Sequence, residues 1–390
     1  MKILLVNDYG TPTGGAEINI LMLRDTLRNR GHDARLFASS ARNGNVENLA
    51  DYKCLGTTSG FRTLLQTANP WAFLQLRRLL AEFRPDVVHV SMFLTQLSPL
   101  ILPLLKDLPS LYHVVWYRPV CPLGTKLLPD GVTCEFPWGT ACYHNNCLPL
   151  RDWFPLMLQM KLWRQWSKVF NLVIANSEAV KRQLVAEGIE PVEVLWHGTP
   201  MQSLRPPLSE PPTVAFAGRL VREKGIDVLL NAFANVVKQI PSARLLIAGD
   251  GPERERLNSL ARSLELLPHV TMLGHLSQAD LEPLFDRAWA QAVPSLWAEP
   301  FGLVAIEAMM RGTAVIASST GGLTEIIQDG KTGFLIPPGN VDLLTEALLK
   351  LLCNRELAEK MGRAGHDVAV AQFSEATFVD KIIHLYESIC

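Results

Sequence analysis

Glu299 and Glu307 stand in the run Pro294-Ser295-Leu296-Trp297-Ala298-Glu299-Pro300-Phe301-Gly302-Leu303-Val304-Ala305-Ile306-Glu307-Ala308-Met309-Met310-Arg311-Gly312. Pro300 suits a first helical position and Gly312 suits the left-handed residue that ends a helix. The spacing therefore predicts a helix with Glu299 just ahead of its N-terminus, beside the free amides of Phe301, Gly302 and Leu303. Glu307 then lies about 12 Å further down the axis. That exceeds the roughly 5–9.5 Å between the paired carboxyls of glycosidases, which argues against a two-carboxylate hydrolase. Acids so placed, with amides between them, can hold hydroxyls of two separate moieties and a phosphate in the middle. Glu307 is flanked by Ile306, Ala308 and Met309, and a buried acid needs a partner.

A second set is basic. In Gly218-Arg219-Leu220-Val221-Arg222-Glu223-Lys224-Gly225, two cations flank a loop after an apolar run. Arg219 with its planar fork and Lys224 as a point charge can grip a diphosphate. Gly14-Gly15, ahead of a helical segment, lets backbone approach an oxyanion at a helix N-terminus. Neither this turn nor Gly249-Asp250-Gly251 completes G-x-G-x-x-G, so a dinucleotide dehydrogenase is not indicated. A third set is Cys121-x12-Cys134-x7-Cys142-x4-Cys147 in a stretch rich in Gly and Pro. In a cytoplasmic chain such a cluster can hold a structural zinc ion; paired or free thiols are the other reading, and His144 is a substitute ligand. His89 ends an apolar strand and reads as a satisfied core histidine.

The elements that must carry these residues alternate. Apolar β-branched runs at Ile3–Val6, Ala34–Ala38, Asp86–Val90, Leu111–Val115 and Leu172–Ala175 are separated by longer helix-period segments, the pattern of βα units and parallel sheets. A Pro-rich stretch from Pro200 to Pro212 interrupts the rhythm. It restarts with strands at Thr213–Ala217, Ala243–Ala248, Val270–Leu273, Ala290–Val293, Ala314–Ala317 and Gly333–Ile336. Two α/β domains follow from this, residues 1–199 and 213–372, joined by a linker at 200–212. A ligand in such an arrangement sits near the carboxyl ends of the strands.

Composition narrows the function. The 390 residues carry 37 Lys+Arg against 38 Asp+Glu, a net charge of −1, which leaves no electrostatic footprint for nucleic acid. A 48% hydrophobic content excludes disorder. The apolar run opening the chain is too short for a signal peptide, and no stretch reaches the ~18 apolar residues of a spanning helix. The expected location is cytoplasmic, with peripheral contact at the inner face of the membrane as the furthest departure from it. Trp153–Lys168 allows such contact, since aromatics and cations on one helix suit a headgroup layer; the competing reading packs those aromatics into the first domain.

Taken in order, Gly14-Gly15-Ala16-Glu17, Gly218-Arg219-Leu220 through Lys224-Gly225, Gly249-Asp250-Gly251-Pro252, Pro294-Ser295, the E-x7-E of Glu299 and Glu307, Gly321-Gly322 with Glu325, and Asp329-Gly330-Lys331-Thr332-Gly333 resemble the retaining glycosyltransferases of family 4. The resemblance implies the GT-B fold: two Rossmann-like parallel-sheet domains facing each other across a deep cleft, with the C-terminal helix 373–390 packing back on the first. It implies a nucleotide-sugar donor (UDP-, GDP- or ADP-linked) and a saccharide or lipid-linked acceptor. Arg219 and Lys224 would bind the diphosphate, helped by amides around Gly302-Leu303 and by Gly14-Gly15. Glu299 would hold the transferred sugar, Glu307 the ribose, and backbone at Gly274-His275-Leu276 the base. His113 matches the family's histidine beside the sugar, although Val114 stands where an Asp often follows, and His197-Gly198 replaces the usual Asn-Gly. No Asp-x-Asp occurs, so no catalytic cofactor is expected. An epimerase or hydrolase of the same fold, or a non-catalytic nucleotide-sugar-binding protein, are the alternatives.

Overall fold

The structure is a computed structural model and describes residues 1–41 and 46–390. The chain divides into two compact units, Met1–Gly198 with Ala376–Cys390, and Thr199–Glu375. Among the described residues no helix is long and apolar enough to cross a membrane.

The first unit holds β1 (Lys2–Tyr9), β2 (Asp33–Ser39), β3 (Tyr52–Cys54), β4 (Val87–Val90), β5 (Ser110–Val114), β6 (Leu172–Ala175) and β7 (Val192–Val194). They form one parallel sheet in the order β3-β2-β1-β4-β5-β6-β7. The second unit holds β8 (Thr213–Ala217), β9 (Arg244–Ala248), β10 (Val270–Gly274), β11 (Ala288–Val293), β12 (Ala314–Ser318) and β13 (Gly333–Ile336). Its parallel sheet runs β10-β9-β8-β11-β12-β13. Crossover helices cover the faces, so the central strands are buried on both sides and read as unbroken apolar runs. In each sheet the winding reverses once, between β1 and β4 and between β8 and β11. The carboxyl ends of strands flanking such a reversal open a crevice, because the loops there leave in opposite directions.

The helix Glu375–Ile389 buries Phe378, Val379, Ile382 and Tyr386 in the same core as Ile3, Leu5, Val87 and Leu111. It is separated from the preceding helix, Arg355–Phe373, by an extended Ser374. The Pro-rich segment has no regular structure, yet Leu208 enters the core of the second unit and Trp289 Nε1 donates to Ser209 O at 2.9 Å.

One local expectation fails. The helix after Glu299 spans Leu303–Met310 and does not begin at Pro300. Gly302, at φ 115°, takes the capping position in a conformation only glycine adopts easily. Glu299 therefore belongs to a loop, and the distance to Glu307 is not set by helical rise.

Candidate functional site

In the second unit both predicted sets meet at the sheet reversal. β8 ends at Ala217 and leads into Gly218-Arg219, and β11 ends at Val293 and leads into Pro294-Ser295. Backbone bonds tie the loops together: Leu220 N donates to Asp250 O at 2.9 Å, Leu296 N to Glu223 O at 2.8 Å, and Gly322 N to Glu299 O at 2.8 Å. Gly321 is required by this arrangement. Its φ is +57°, and an added Cβ would lie 2.1 Å from Glu299 O, so any side chain would push the acid's backbone away.

Glu299 is buried, and its Oε1 receives Lys224 Nζ at 2.5 Å and Ser295 Oγ at 2.6 Å. Burial pushes the Glu299 carboxyl upward, but the Lys224 ammonium and these hydrogen bonds outweigh it and hold the group below the ordinary carboxylate value. Lys224 Nζ also lies 5.6 Å from the Trp297 ring centre. The pair is thus an ionised carboxylate and an ammonium withdrawn from water, each dependent on the other.

Arg219 does not share this cluster of bonds. Its guanidinium is exposed and stands 3.8 Å from Glu223 Oε1, free to swing toward an incoming anion. Glu307 lies on the helix Leu303–Met310, where burial raises its carboxyl and Arg311 partly offsets the rise. Arg311 Nη2 in turn donates to Gln291 Oε1 at 3.1 Å. Phe301 is buried with its ring edge toward Phe373 at 6.1 Å. Leu303 opens the helix behind Gly302. Gly274 closes β10 and accepts from Gly249 N at 2.7 Å, which brings the loop carrying His275 and Leu276 alongside the Asp250 loop.

In the first unit Gly14 caps the helix Gly15–Asn29 in an extended conformation, just past the carboxyl end of β1. His113 sits near the end of β5 and is buried with two other imidazoles. Its ring stacks on His197 at 4.6 Å and lies 5.5 Å from His89. The three rings line one small cavity together with Ala16, Asn19 and Ser91. His89 Nδ1 meets Tyr386 Oη at 2.7 Å. Burial, then the neighbouring rings, push His113 well below its ordinary value, against a hydrogen bond to the Leu195 backbone. A ring nitrogen that donates to a carbonyl leaves the other as a bare acceptor in the neutral ring. Nε2 of His113, like Nε2 of His89, is buried with no hydrogen-bond partner among the described residues.

The zinc expectation gains no support. Cys121, Cys134, Cys142 and Cys147 are free thiols of intermediate exposure. Among the described residues no group of three or more His, Cys, Asp or Glu side chains is placed to hold a metal ion. The four lie on a segment shaped by its own turns, such as Cys134 N to Lys126 O at 2.7 Å and Leu148 N to Cys142 O at 3.1 Å. Burial pushes the Cys147 thiol up to about 11, its neighbouring thiols adding to the rise.

Sequence reasoning passed over Ser295 as a partner of Glu299, Arg311 as a partner of Glu307, and the company His113 keeps. Pro294-Ser295 and Glu299 were adjacent in one run, and that four-residue spacing was the available signal. The His89–His113–His197 cluster joins three strand ends far apart in sequence, and no spacing rule finds it.

Comparison with known proteins adds family to geometry. Residues 13–203 match the model for Glycosyltransferase Family 4, and residues 204–368 match the model for Glycosyl transferases group 1. A glycogen synthase of Mycobacterium tuberculosis is 31% identical over 321 residues, 81% of this chain and 72% of that protein. A phosphatidyl-myo-inositol mannosyltransferase of Mycobacterium leprae is 33% identical over 234 residues, 58% of this chain and 61% of that one. With a GDP-mannose-dependent mannosyltransferase of Mycobacterium tuberculosis the match spans 47% of that protein. Among solved structures, sucrose-phosphate synthase from Thermosynechococcus elongatus superposes with a TM-score of 0.77 at 23% identity, covering 100% of this chain and 98% of that one. Anabaena HepE, solved with UDP and glucose, gives 0.73 at 21%, covering 100% of both chains. The chain belongs to the glycosyltransferases described jointly by Glycosyltransferase Family 4 and Glycosyl transferases group 1, with the GT-B fold.

Proposed function

We infer that the protein transfers a sugar from a nucleotide-diphospho-sugar to a saccharide or lipid-linked acceptor, with retention of configuration at the anomeric carbon. The constellation of half-buried Lys224 with buried Glu299 and Ser295, just past the strand ends of the second unit, carries this reading. Breaking a glycosyl–phosphate bond builds negative charge on the diphosphate and positive charge on the sugar ring. A fixed cation at the first and a fixed carboxylate at the second favour the transition state more than the ground state. In this proposal Lys224 is held by Glu299 at the leaving group, and exposed Arg219 closes on the diphosphate. Glu299 accepts from hydroxyls of the transferred sugar, and Glu307 from those of the ribose.

His113 presents Nε2 as an acceptor for a sugar hydroxyl, a role a neutral imidazole fills and an imidazolium does not. No side chain is assigned as a covalent nucleophile; the departing phosphate oxygen takes the acceptor's proton on the face it leaves. The GDP-mannose of one relative and the UDP of one fold neighbour make those two nucleotides the first to test.

The test is incubation with UDP-glucose, GDP-mannose and ADP-glucose, reading thermal shift and slow hydrolysis, followed by proton NMR of the released or transferred sugar. An α-linked donor giving first an α product supports the proposal. A β product overturns retention, and a donor panel with neither shift nor turnover overturns the donor class.

A further inference from the structure

The helices Arg62–Thr67, Pro70–Phe83 and Leu150–Trp166 of the first unit turn large apolar side chains to solvent. Phe61, Leu64, Trp71, Leu74, Phe154 and Leu158 are each at least half exposed, Phe61 at 72% and Phe154 at 64%. They recur with helical spacing: Phe61 and Leu64, Trp71 and Leu74, Phe154 and Leu158. Each pair therefore forms a stripe on the outer side of its helix. Buried Trp163 and Met160 hold the opposite side of the longest helix in the core.

The helices are neighbours. Thr63 Oγ1 donates to Asp152 Oδ1 at 3.2 Å, Thr67 Oγ1 donates to Pro155 O at 2.9 Å, and a two-residue link joins the first helix to the second. Isolated exposed apolar residues are ordinary, whereas a set on adjoining helices marks an interaction surface.

We propose that this face docks on an anionic lipid bilayer. The choice of occupant rests on charge. The three helices carry six cations (Arg62, Arg77, Arg78, Arg151, Lys161 and Arg164) against two acids, Glu82 and Asp152, in a chain whose net charge is −1. Arg62 adjoins Phe61, Arg151 precedes Phe154 by three positions, and Lys161 follows Leu158 by three. Aromatic and aliphatic groups enter the headgroup boundary while long basic side chains meet lipid phosphates above it. A second copy of the chain is a poor occupant. A two-fold contact would set the patch against itself, and so cation against cation. The inference does not depend on the identity of the sugar donor.

The experiment uses the full chain without nucleotide, sedimented with vesicles of phosphatidylcholine alone or phosphatidylcholine containing phosphatidylglycerol. Binding to the anionic vesicles, weakened by salt, is expected. Phe154→Ser with Leu158→Ser lowers the partition coefficient at least about tenfold, since two apolar side chains no longer leave water. Arg151→Gln and Lys161→Gln each lower it about fivefold on anionic vesicles and leave neutral ones unaffected. These side chains are exposed, so circular dichroism and melting temperature stay as in the parent chain. Absence of vesicle binding overturns the proposal, as does binding indifferent to these substitutions. Analytical ultracentrifugation showing a dimer that Phe154→Ser with Leu158→Ser dissolves assigns the face to self-association instead.

Discussion

The carboxylate of Glu299 and the ammonium of Lys224 have exchanged water for each other, and that exchange makes both residues sensitive reporters. Lys224→Ala leaves a buried carboxylate without its cation, a change that costs about 3–5 kcal/mol when a buried pair is broken. It also removes the fixed positive charge proposed for the leaving group, so kcat falls about a hundredfold or more. Lys224→Met with Glu299→Gln together are expected to restore most of the stability and none of the activity, because the uncompensated charge is gone while the electrostatic device is still missing. Denaturant titration and initial rates on the singles and the double check this; an active double variant would refute the proposed role. The imidazoles behave oppositely to surface histidines. Burial pushes His89 down to about 3 and His197 down to about 4, and His113 is also lowered. The unfolded chain takes up protons near the ordinary value of about 6.5, whereas the folded chain refuses them. Stability is thus complete above that pH and drains as pH falls below it, by about 1.4 kcal/mol per pH unit for each imidazole until its folded value is reached. Chemical denaturation at a series of pH values between about 7 and about 5 measures the slope, and a flat profile contradicts the buried neutral cluster.

At the scale of elements, close backbone approach does what side-chain chemistry cannot. Gly321→Ala must either strain a left-handed residue or move Glu299 O from its place 2.1 Å away. The expected result is a loss of stability of about 1–3 kcal/mol and a fall in kcat with a smaller change in donor affinity, because Glu299 is displaced while Arg219 is not. Equal activity in the variant would show that the loop tolerates the shift. The same contrast explains what could be read from the residues alone. Strands Leu172–Ala175 and Thr213–Ala217 announced themselves because burial on both faces leaves a near-continuous apolar run, whereas Gly333–Ile336, half-buried at Phe334 and Leu335 on a sheet edge, was legible from its apolar residues alone. The three-residue strands Tyr52–Cys54 and Val192–Val194 lie at the sheet edge and carry too few residues to make a pattern. The start of the helix before Glu307 was misplaced because Pro300 has the local propensity for a first turn, but the loop packing against Gly321-Gly322 gives the capping position to Gly302. Lys224 and Glu299 were recognisable as types, yet their bond depends on β8 and β11 being neighbours, a fact of topology invisible in either motif. The thiols of the Cys121–Cys147 segment suggested zinc by their clustering in a loop-rich stretch, and where they stand follows from that segment's own turns, which spacing alone does not encode.

For the whole molecule the controlling fact is that each sheet has a core of its own. Phe216, Leu229, Phe233 and Ile316 belong to the core of the second unit, and Ile3, Leu36, Leu111 and Ile382 to that of the first. Separate cores permit separate cooperative transitions, so a single unfolding free energy need not describe this chain. The proposed donor residues Arg219, Lys224, Glu299 and Glu307 all lie within Thr199–Glu375. A nucleotide-sugar at a hundred times its dissociation constant stabilises what it binds by about 2.7 kcal/mol, and that gain belongs to the unit carrying the contacts. Differential scanning calorimetry is therefore expected to show two components, of which UDP-glucose or GDP-mannose raises one. Lys224→Ala should lower that component and abolish its response. Ile382→Ala, which opens a cavity in the first core through the C-terminal helix, should lower the other component by about 2–5 kcal/mol and leave the donor response in place. If the nucleotide-sugar shifted the component that Ile382→Ala lowers, and left the other where it was, donor recognition would have to be reassigned to the sheet that carries the three histidines.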